Sequence, residues 1–182
     1  SGGTSNDARV ISVTAANDAP TISIDASTLA YTENDAATQI DAAATSSDAD
    51  GDADWNTGTL VVQMTGNNEA ADELSILDNV VGTINTDGTN LQDGATVIGT
   101  LSSSEGTVTD GTALTITLNS NATNALVQEL VRAIHYRNTS NTPGTSNRTV
   151  TYTVTDASGG TSNDARVISV TAANDAPTIS ID

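Results

Sequence analysis

The chain has 182 residues and a formal charge of −18, with no cysteine and no phenylalanine, and all five of its basic residues are arginine. So acidic a surface argues against nucleic acid and anionic lipid as partners, and a chain without cysteine has no disulfide to staple a small core. Val, Ile, Thr, Ala, Asn, Asp and Gly dominate, and Trp55, Tyr31, Tyr136 and Tyr152 are the only aromatic residues, which predicts β-strands, many turns and a core of small aliphatic groups. There is no run of 18 apolar residues and no basic-plus-apolar leader, so the chain is expected neither to span a membrane nor to carry its own signal peptide.

The stretch Ser1 to Asp25 recurs without a difference at Ser158 to Asp182, a period of 157 residues. That is far beyond the period of about 20 to 50 residues that marks solenoids and propellers, so each repeat is expected to be a whole domain. Residues 1–16 read as the last strand of a preceding repeat, residues 17–173 as one complete repeat, and residues 174–182 as a linker and the start of the next. Without its parent sandwich, the segment 1–16 should be disordered or should pair with an exposed sheet edge. Asn17-Asp18-Ala19-Pro20 is a joint, stiffened by proline.

Strands are predicted at Thr21 to Asp25, Leu29 to Thr32 and Gln39 to Ala44, followed by the acidic loop Ser47 to Asp54. Gly58 to Thr65 reads as a central strand and Leu74 to Leu77 as another. Further strands are expected near Gly82 to Asn85, Ala95 to Leu101 and Ala113 to Leu118, with Asp87-Gly88, Asp93-Gly94 and Asp110-Gly111 as hairpin signals. The one helical pattern is Asn124 to Ile134, with Val127, Leu130, Val131 and Ile134 on one face and Thr123 at the N-cap. A strand near His135 to Arg137 follows. Then Arg148 to Thr155 alternates Thr outward with Val, Tyr and Val inward, and Arg166 to Ala172 closes the unit before the second joint, Asn174 to Pro177.

Six features stand together: Ser47-Asp48-Ala49-Asp50, Thr57-Gly58-Thr59-Leu60, Leu118 to Thr123, Tyr136-Arg137-Asn138-Thr139, Val154 to Thr161, and the Asn-Asp-Ala-Pro joints. In this order they resemble the cadherin-like, immunoglobulin-type repeats of very large bacterial surface adhesins, including those exported by type I secretion with repeats-in-toxin tails. The resemblance covers nearly the whole repeat. It implies an all-β, immunoglobulin/cadherin-like β-sandwich with inserted hairpins and one short helix. It also implies a spacer that holds a ligand-binding tip away from the cell, stiffened by Ca2+ at the joints.

In an immunoglobulin-type topology the loop after the second strand and the loop before the last strand lie at the end of the incoming joint. Asp48, Asp50 and Asp52, Asp156, and Asn17 with Asp18 are therefore expected to converge there. The opposite end would gather Glu33 with Asn174 and Asp175. Calcium takes six to eight oxygen ligands, which such residues supply. Carboxylates at alternate positions repel one another, and a divalent ion removes that cost. The loop is no EF-hand, because Ala53 and Thr59 stand where that motif needs glycine and glutamate.

Glu69, Asp72 and Glu73 read as an exposed loop. His135, the single histidine, reads as structural, and Trp55, next to the acidic loop, as a packing residue, either a lid over an ion site or core. Thr149, Thr151, Thr153 and Thr155 read as a solvated strand face. No nucleophile elbow or Cys–His pair is present, so no catalytic residue is assigned. The expected function is a non-enzymatic, monomeric, calcium-stabilised extender repeat of a bacterial cell-surface adhesin, extracellular and joined to neighbouring repeats of the same chain. The alternative is an adhesion domain binding carbohydrate, ice or protein.

Overall fold

The computed structural model of the chain describes residues 1–177 and 179, so the expected opening of a further repeat at residues 178 and 180–182 lies outside the described residues. Among the described residues fourteen strands and one α-helix follow in order: β1 (Thr21–Ser23), β2 (Leu29–Thr32), β3 (Thr38–Gln39), β4 (Thr45–Ser47), β5 (Thr59–Gly66), β6 (Asp72–Ile76), β7 (Ile84–Asp87), β8 (Asn90–Asp93), β9 (Thr96–Leu101), β10 (Thr107–Thr109), β11 (Leu114–Leu118), α1 (Asn124–Arg132), β12 (Ile134–Asn138), β13 (Arg148–Thr155) and β14 (Thr161–Thr171). Eight of them form one sheet in the order β2, β14, β13, β5, β11, β9, β8, β7. Strands β10, β6, β12 and β3 form a second, and β1 pairs with β4 alone. This is the all-β sandwich with one short helix expected from the helical pattern and the resemblance together.

Alternation along the strands fixes which face is buried. In β13, Arg148, Val150, Tyr152 and Val154 are all fully buried, while the intervening threonines stay partly exposed. Leu60, Val62 and Met64 of β5 and Leu114, Ile116 and Leu118 of β11 continue that inner face, and Leu74, Ile76, Ile134 and Tyr136 of the second sheet belong to the same core. All four aromatic side chains are buried, and Tyr31 meets Tyr136 edge to face at 5.0 Å between ring centroids. Among the described residues no helix is long and apolar enough to cross a membrane.

Several expected elements differ from those observed. The strand expected over Gln39 to Ala44 breaks after Gln39, because the buried Asp41 side chain accepts from the amides of Asp25 and Ala43, both at 2.7–2.8 Å, in place of ladder bonds. The helix stops at Arg132: Ala133 donates to the carbonyls of Glu129 and Leu130, and Ile134 pairs instead with Ile76. The Asp87-Gly88 and Asp93-Gly94 signals do join antiparallel pairs, β7 to β8 and β8 to β9. Asp110-Gly111 is a tight turn with both φ angles positive, 55° and 69°, yet it carries the chain from one sheet to the other and closes no hairpin. Residues 1–16 carry no strand, pair with no edge and are exposed throughout.

Candidate metal centre at the incoming joint

The end of the sandwich that receives residues 17–20 is built from three loops. The first runs out of β4 through Asp48, where the Asp48 Oδ1 accepts the Asp50 amide at 2.8 Å in an Asx turn. The 3-10 turn Asp52–Trp55 then folds the chain back and brings Asp54 to face Asp48. Trp55 is fully buried beneath it and donates its indole N–H to Asn124 Oδ1 at 2.9 Å, the packing role expected of it. Asn124, at the start of α1, also accepts the Asp48 amide at 2.6 Å and donates to the Asp48 carbonyl at 3.1 Å. The acidic loop is thus held against the helix by one amide side chain.

The second loop links β13 to β14. Asp156 Oδ1 accepts the amides of Ser158 and Gly160, each at 2.8 Å, which closes the turn around its carboxylate. Only glycine fits at Gly160: a Cβ there would lie 2.4 Å from Asp156 Oδ2 and 2.9 Å from the Ala19 Cα. The third piece is the joint itself. Asn17 donates its side-chain amide to Asp156 Oδ2 at 3.1 Å, and the Asp18 amide donates to Asp50 Oδ2 at 2.7 Å.

One carboxylate oxygen from each of Asp48, Asp54 and Asp156 lies within 4.8 Å of the others. Asp48 and Asp156 are buried, at 4% and 3% exposure, and Asp54 is half-buried. Asp48 Oδ2 and Asp54 Oδ2 are buried with no hydrogen-bond partner. An unpartnered carboxylate oxygen out of water carries its full desolvation penalty, a cost that a bound cation would relieve. Burial, and then the facing charges of Asp54, Asp156 and Asp50, push the Asp48 carboxyl above its ordinary range, despite the Asp50 amide. Burial works the same way on Asp156, but the Asn17 side chain and the amides of Gly160, Ser158 and Gly159 outweigh it and hold that carboxyl low. Three carboxylates so placed can hold a metal ion.

Of the residues expected here, Asp48 and Asp156 meet in the cluster, with Asn17 bonded to it and Asp18 tied through its backbone to Asp50. Asp50 and Asp52 do not join the three-carboxylate group. Asp50 is spent on the joint, and Asp52 Oδ1 accepts the Asn124 amide at 2.7 Å at the start of α1, where a negative charge suits the helix dipole. Asp54 continues the alternation of Asp48, Asp50 and Asp52 without being among the expected ligands, and the 3-10 turn Asp52–Trp55 brings it to face Asp48. Asn124 carries no signal in the sequence beyond its position after the N-cap.

At the far end, Glu33 is buried and accepts the Ala173 amide at 2.8 Å through Oε2, while its Oε1 has no partner. Asn174 and Asp175 follow directly in the chain and are exposed, and the Asn174 side chain donates to the Asp175 carbonyl.

Elsewhere, of Glu69, Asp72 and Glu73, expected in an exposed loop, Glu69 and Glu73 are half-buried and Asp72 is buried. Asp72 is 1% exposed and receives Tyr136 Oη, Asn138 Nδ2 and the Arg148 guanidinium, at 2.6, 2.7 and 3.0 Å. His135 is buried with Nδ1 on the Ala133 carbonyl, and burial lowers its proton affinity, in keeping with a structural role. No protein-family model matches the chain, and no curated protein or solved structure matches it either.

Proposed function

We propose that the chain carries one repeat of a calcium-stabilised extender in a bacterial cell-surface adhesin. In this reading it is a non-enzymatic module that, copied in series outside the cell, holds a ligand-binding region away from the surface. The observation that carries the reading is the acid cluster at the incoming joint. Two of its oxygens are buried without partners, and the joint residues Asn17 and Asp18 are bonded to that same set of acids. The unbroken recurrence of the joint 157 residues later supports a serial arrangement.

Calcium is the ion because every side chain in the cluster offers oxygen, the chain has no cysteine and its one histidine is engaged in the core. Asp48, Asp54 and Asp156 would hold it, with the Asn17 side chain alongside. Bound there, the ion would remove the repulsion among the three acids and tie the joint to the β4 and β13–β14 loops. Glu33 would serve the outgoing joint in the same way, beside Asn174 and Asp175. A cation that binds only the folded form adds roughly 2.7 kcal/mol at about a hundred times its dissociation constant.

Calorimetric titration with calcium, paired with thermal melts in calcium and in chelator, tests this. The expected result is saturable binding and a melting temperature several degrees higher in calcium, both lost in Asp156→Asn. A melt indifferent to calcium and chelator overturns it.

A further inference from the structure

The chain enters the sandwich at one end of β14 and leaves it at the other. Ala19 packs against Gly160, just before that strand begins, and Ala173, just past its end, donates its amide to Glu33 Oε2 at 2.8 Å. Between them the 11 residues of β14 span about 36 Å at about 3.3 Å per residue. The segment 24–33 runs beside β14 in the same direction, with Leu29 to Thr32 paired to Ile168 to Thr171 in a parallel ladder. β2 is an edge strand, and β14 is its one partner in the sheet.

The ladder is extended at both ends and bridged where it is interrupted. Toward the incoming joint, Asp164 Oδ2 accepts the Ile24 amide at 2.7 Å; toward the outgoing joint, the Glu33 amide donates to the Thr171 carbonyl at 2.8 Å. Residues 25–28 leave the ladder, and there the Arg166 guanidinium crosses the gap. It donates to the Ser27 carbonyl, the Ser27 hydroxyl and the Asp25 carboxylate, each at 3.0 Å, and to the Ile40 carbonyl. A pull that separates residues 17 and 173 drags the segment 24–33 and β14 in opposite directions along their common axis. All these cross-bonds then load together and must break together. On its other side β14 has eight registered pairs to β13 against four to β2, so the β2 side is where the fold would part.

We propose that the seam between residues 24–33 and 164–173 is a shear lock by which the sandwich withstands tension along the chain, with Arg166 as the side chain that pins it. The proposal rests on the serial reading in one respect, that neighbouring repeats deliver the tension through the joints. Its bonds all run between protein groups, so the lock holds without calcium. Forced unfolding is governed by the unfolding rate, and bonds intact in the folded state but broken at the barrier act on that rate in full. The charge-assisted bonds of Arg166 lie in the loaded path and are therefore the largest single contribution from one side chain.

The chain has no cysteine, so a pair of introduced cysteines sets the direction of pull in an optical trap. Ala16→Cys with Ala176→Cys pulls along the seam. Ala36→Cys with Ala176→Cys attaches both handles at the Glu33 end and peels the same seam open from the Thr32–Thr171 pair; all three positions are exposed. In chelator and at equal constant force, unfolding along the seam should be at least about tenfold slower than peeling, because several bonds fail at once in place of one. Arg166→Ala should speed unfolding along the seam about tenfold or more and leave peeling unchanged, since peeling meets Arg166 only after the ladder has opened. A side chain that merely stabilised the fold would speed both alike, and that result overturns the role given to Arg166. Equal rates in the two directions, or a resistance along the seam that vanishes in chelator, overturn the lock. Direction-dependent unfolding in a protein whose melt ignores calcium would sustain the lock and remove the calcium reading alone.

Discussion

Two stretches of this molecule have the same sequence and different structures. Over residues 158–173 it builds the strand β14; over residues 1–16 it builds no strand. Ile168 is fully buried and Ile11 is 83% exposed; Val170 is 2% exposed and Val13 88%. Since local propensity is identical in the two, the difference comes wholly from β13 and β2, which offer β14 a ladder on each side and a core beneath. Strand formation here is a property of the slot more than of the strand.

The sharpest way to break that comparison is to make the same substitution in both copies. Ile168→Ala empties a fully buried site and should cost about 3 to 4 kcal/mol. Ile11→Ala should change stability by less than about 0.5 kcal/mol, as surface changes do. Denaturant midpoints measure both, and equal effects would mean that residues 1–16 are packed in solution. Arginine gives the next contrast. Arg166 donates to the carbonyls of Ser27 and Ile40 and to the Asp25 and Ser27 side chains, clamping the chain between β1 and β2. Arg166→Ala should cost about 2 to 3 kcal/mol through those charge-assisted bonds, and Arg9→Ala close to nothing, by the same midpoint measurement.

The same dependence on context decides what the sequence disclosed. The alternation of Thr149 to Thr155 and the spacing of Val127, Leu130 and Val131 were legible because each pattern reports its own burial: a period of two for β13, a helical period for α1. Strands β4, β8 and β10 were not, being three or four residues long and largely polar, formed by neighbours rather than by their own pattern. In the acid cluster, Asp48 and Asp156 were legible from loop topology. Asp54 was not separable by spacing from Asp50 and Asp52, because all of them alternate with Asp48; the 3-10 turn Asp52–Trp55 decides that Asp54 is the one facing Asp48. Asp72 was hidden for a similar reason: its partners Tyr136, Asn138 and Arg148 lie more than sixty residues on.

The acid cluster predicts a pH effect of definite sign. In metal-free protein the Asp48 carboxyl is held above its ordinary value of 3.8, first by burial. Its contribution to stability is therefore fully present below that value and is lost as pH rises through the higher folded value. Asp156, held low, contributes in the opposite sense: its stabilisation is present above 3.8 and lost as pH falls through the folded value. Asp48→Asn keeps the oxygen that accepts the Asp50 amide and removes the charge. It should melt about 2 to 4 °C above the metal-free parent at neutral pH, equivalent to about 1 kcal/mol. The gain should vanish near pH 3 and the calcium response should disappear with it. A variant that melts lower than the parent at neutral pH in chelator would show that the crowding of Asp48, Asp54 and Asp156 carries no cost.

The smallest effect belongs to the two joints, which again share one sequence. Asn17 donates to Asp156 across 139 residues of chain, while among the described residues Asn174 bonds to its neighbour Asp175 alone. Asn17→Ala therefore removes a charge-assisted, partly buried bond, and about 1 kcal/mol is expected from melts in chelator. Asn174→Ala should leave this chain unchanged, because its counterpart of Asp156 would lie in a following repeat. In a chain of two repeats the same Asn174→Ala should acquire the cost that Asn17→Ala shows in one. If it does not, the two joints are built differently despite their common sequence, and the contact between Asn17 and Asp156 is peculiar to this end of the molecule.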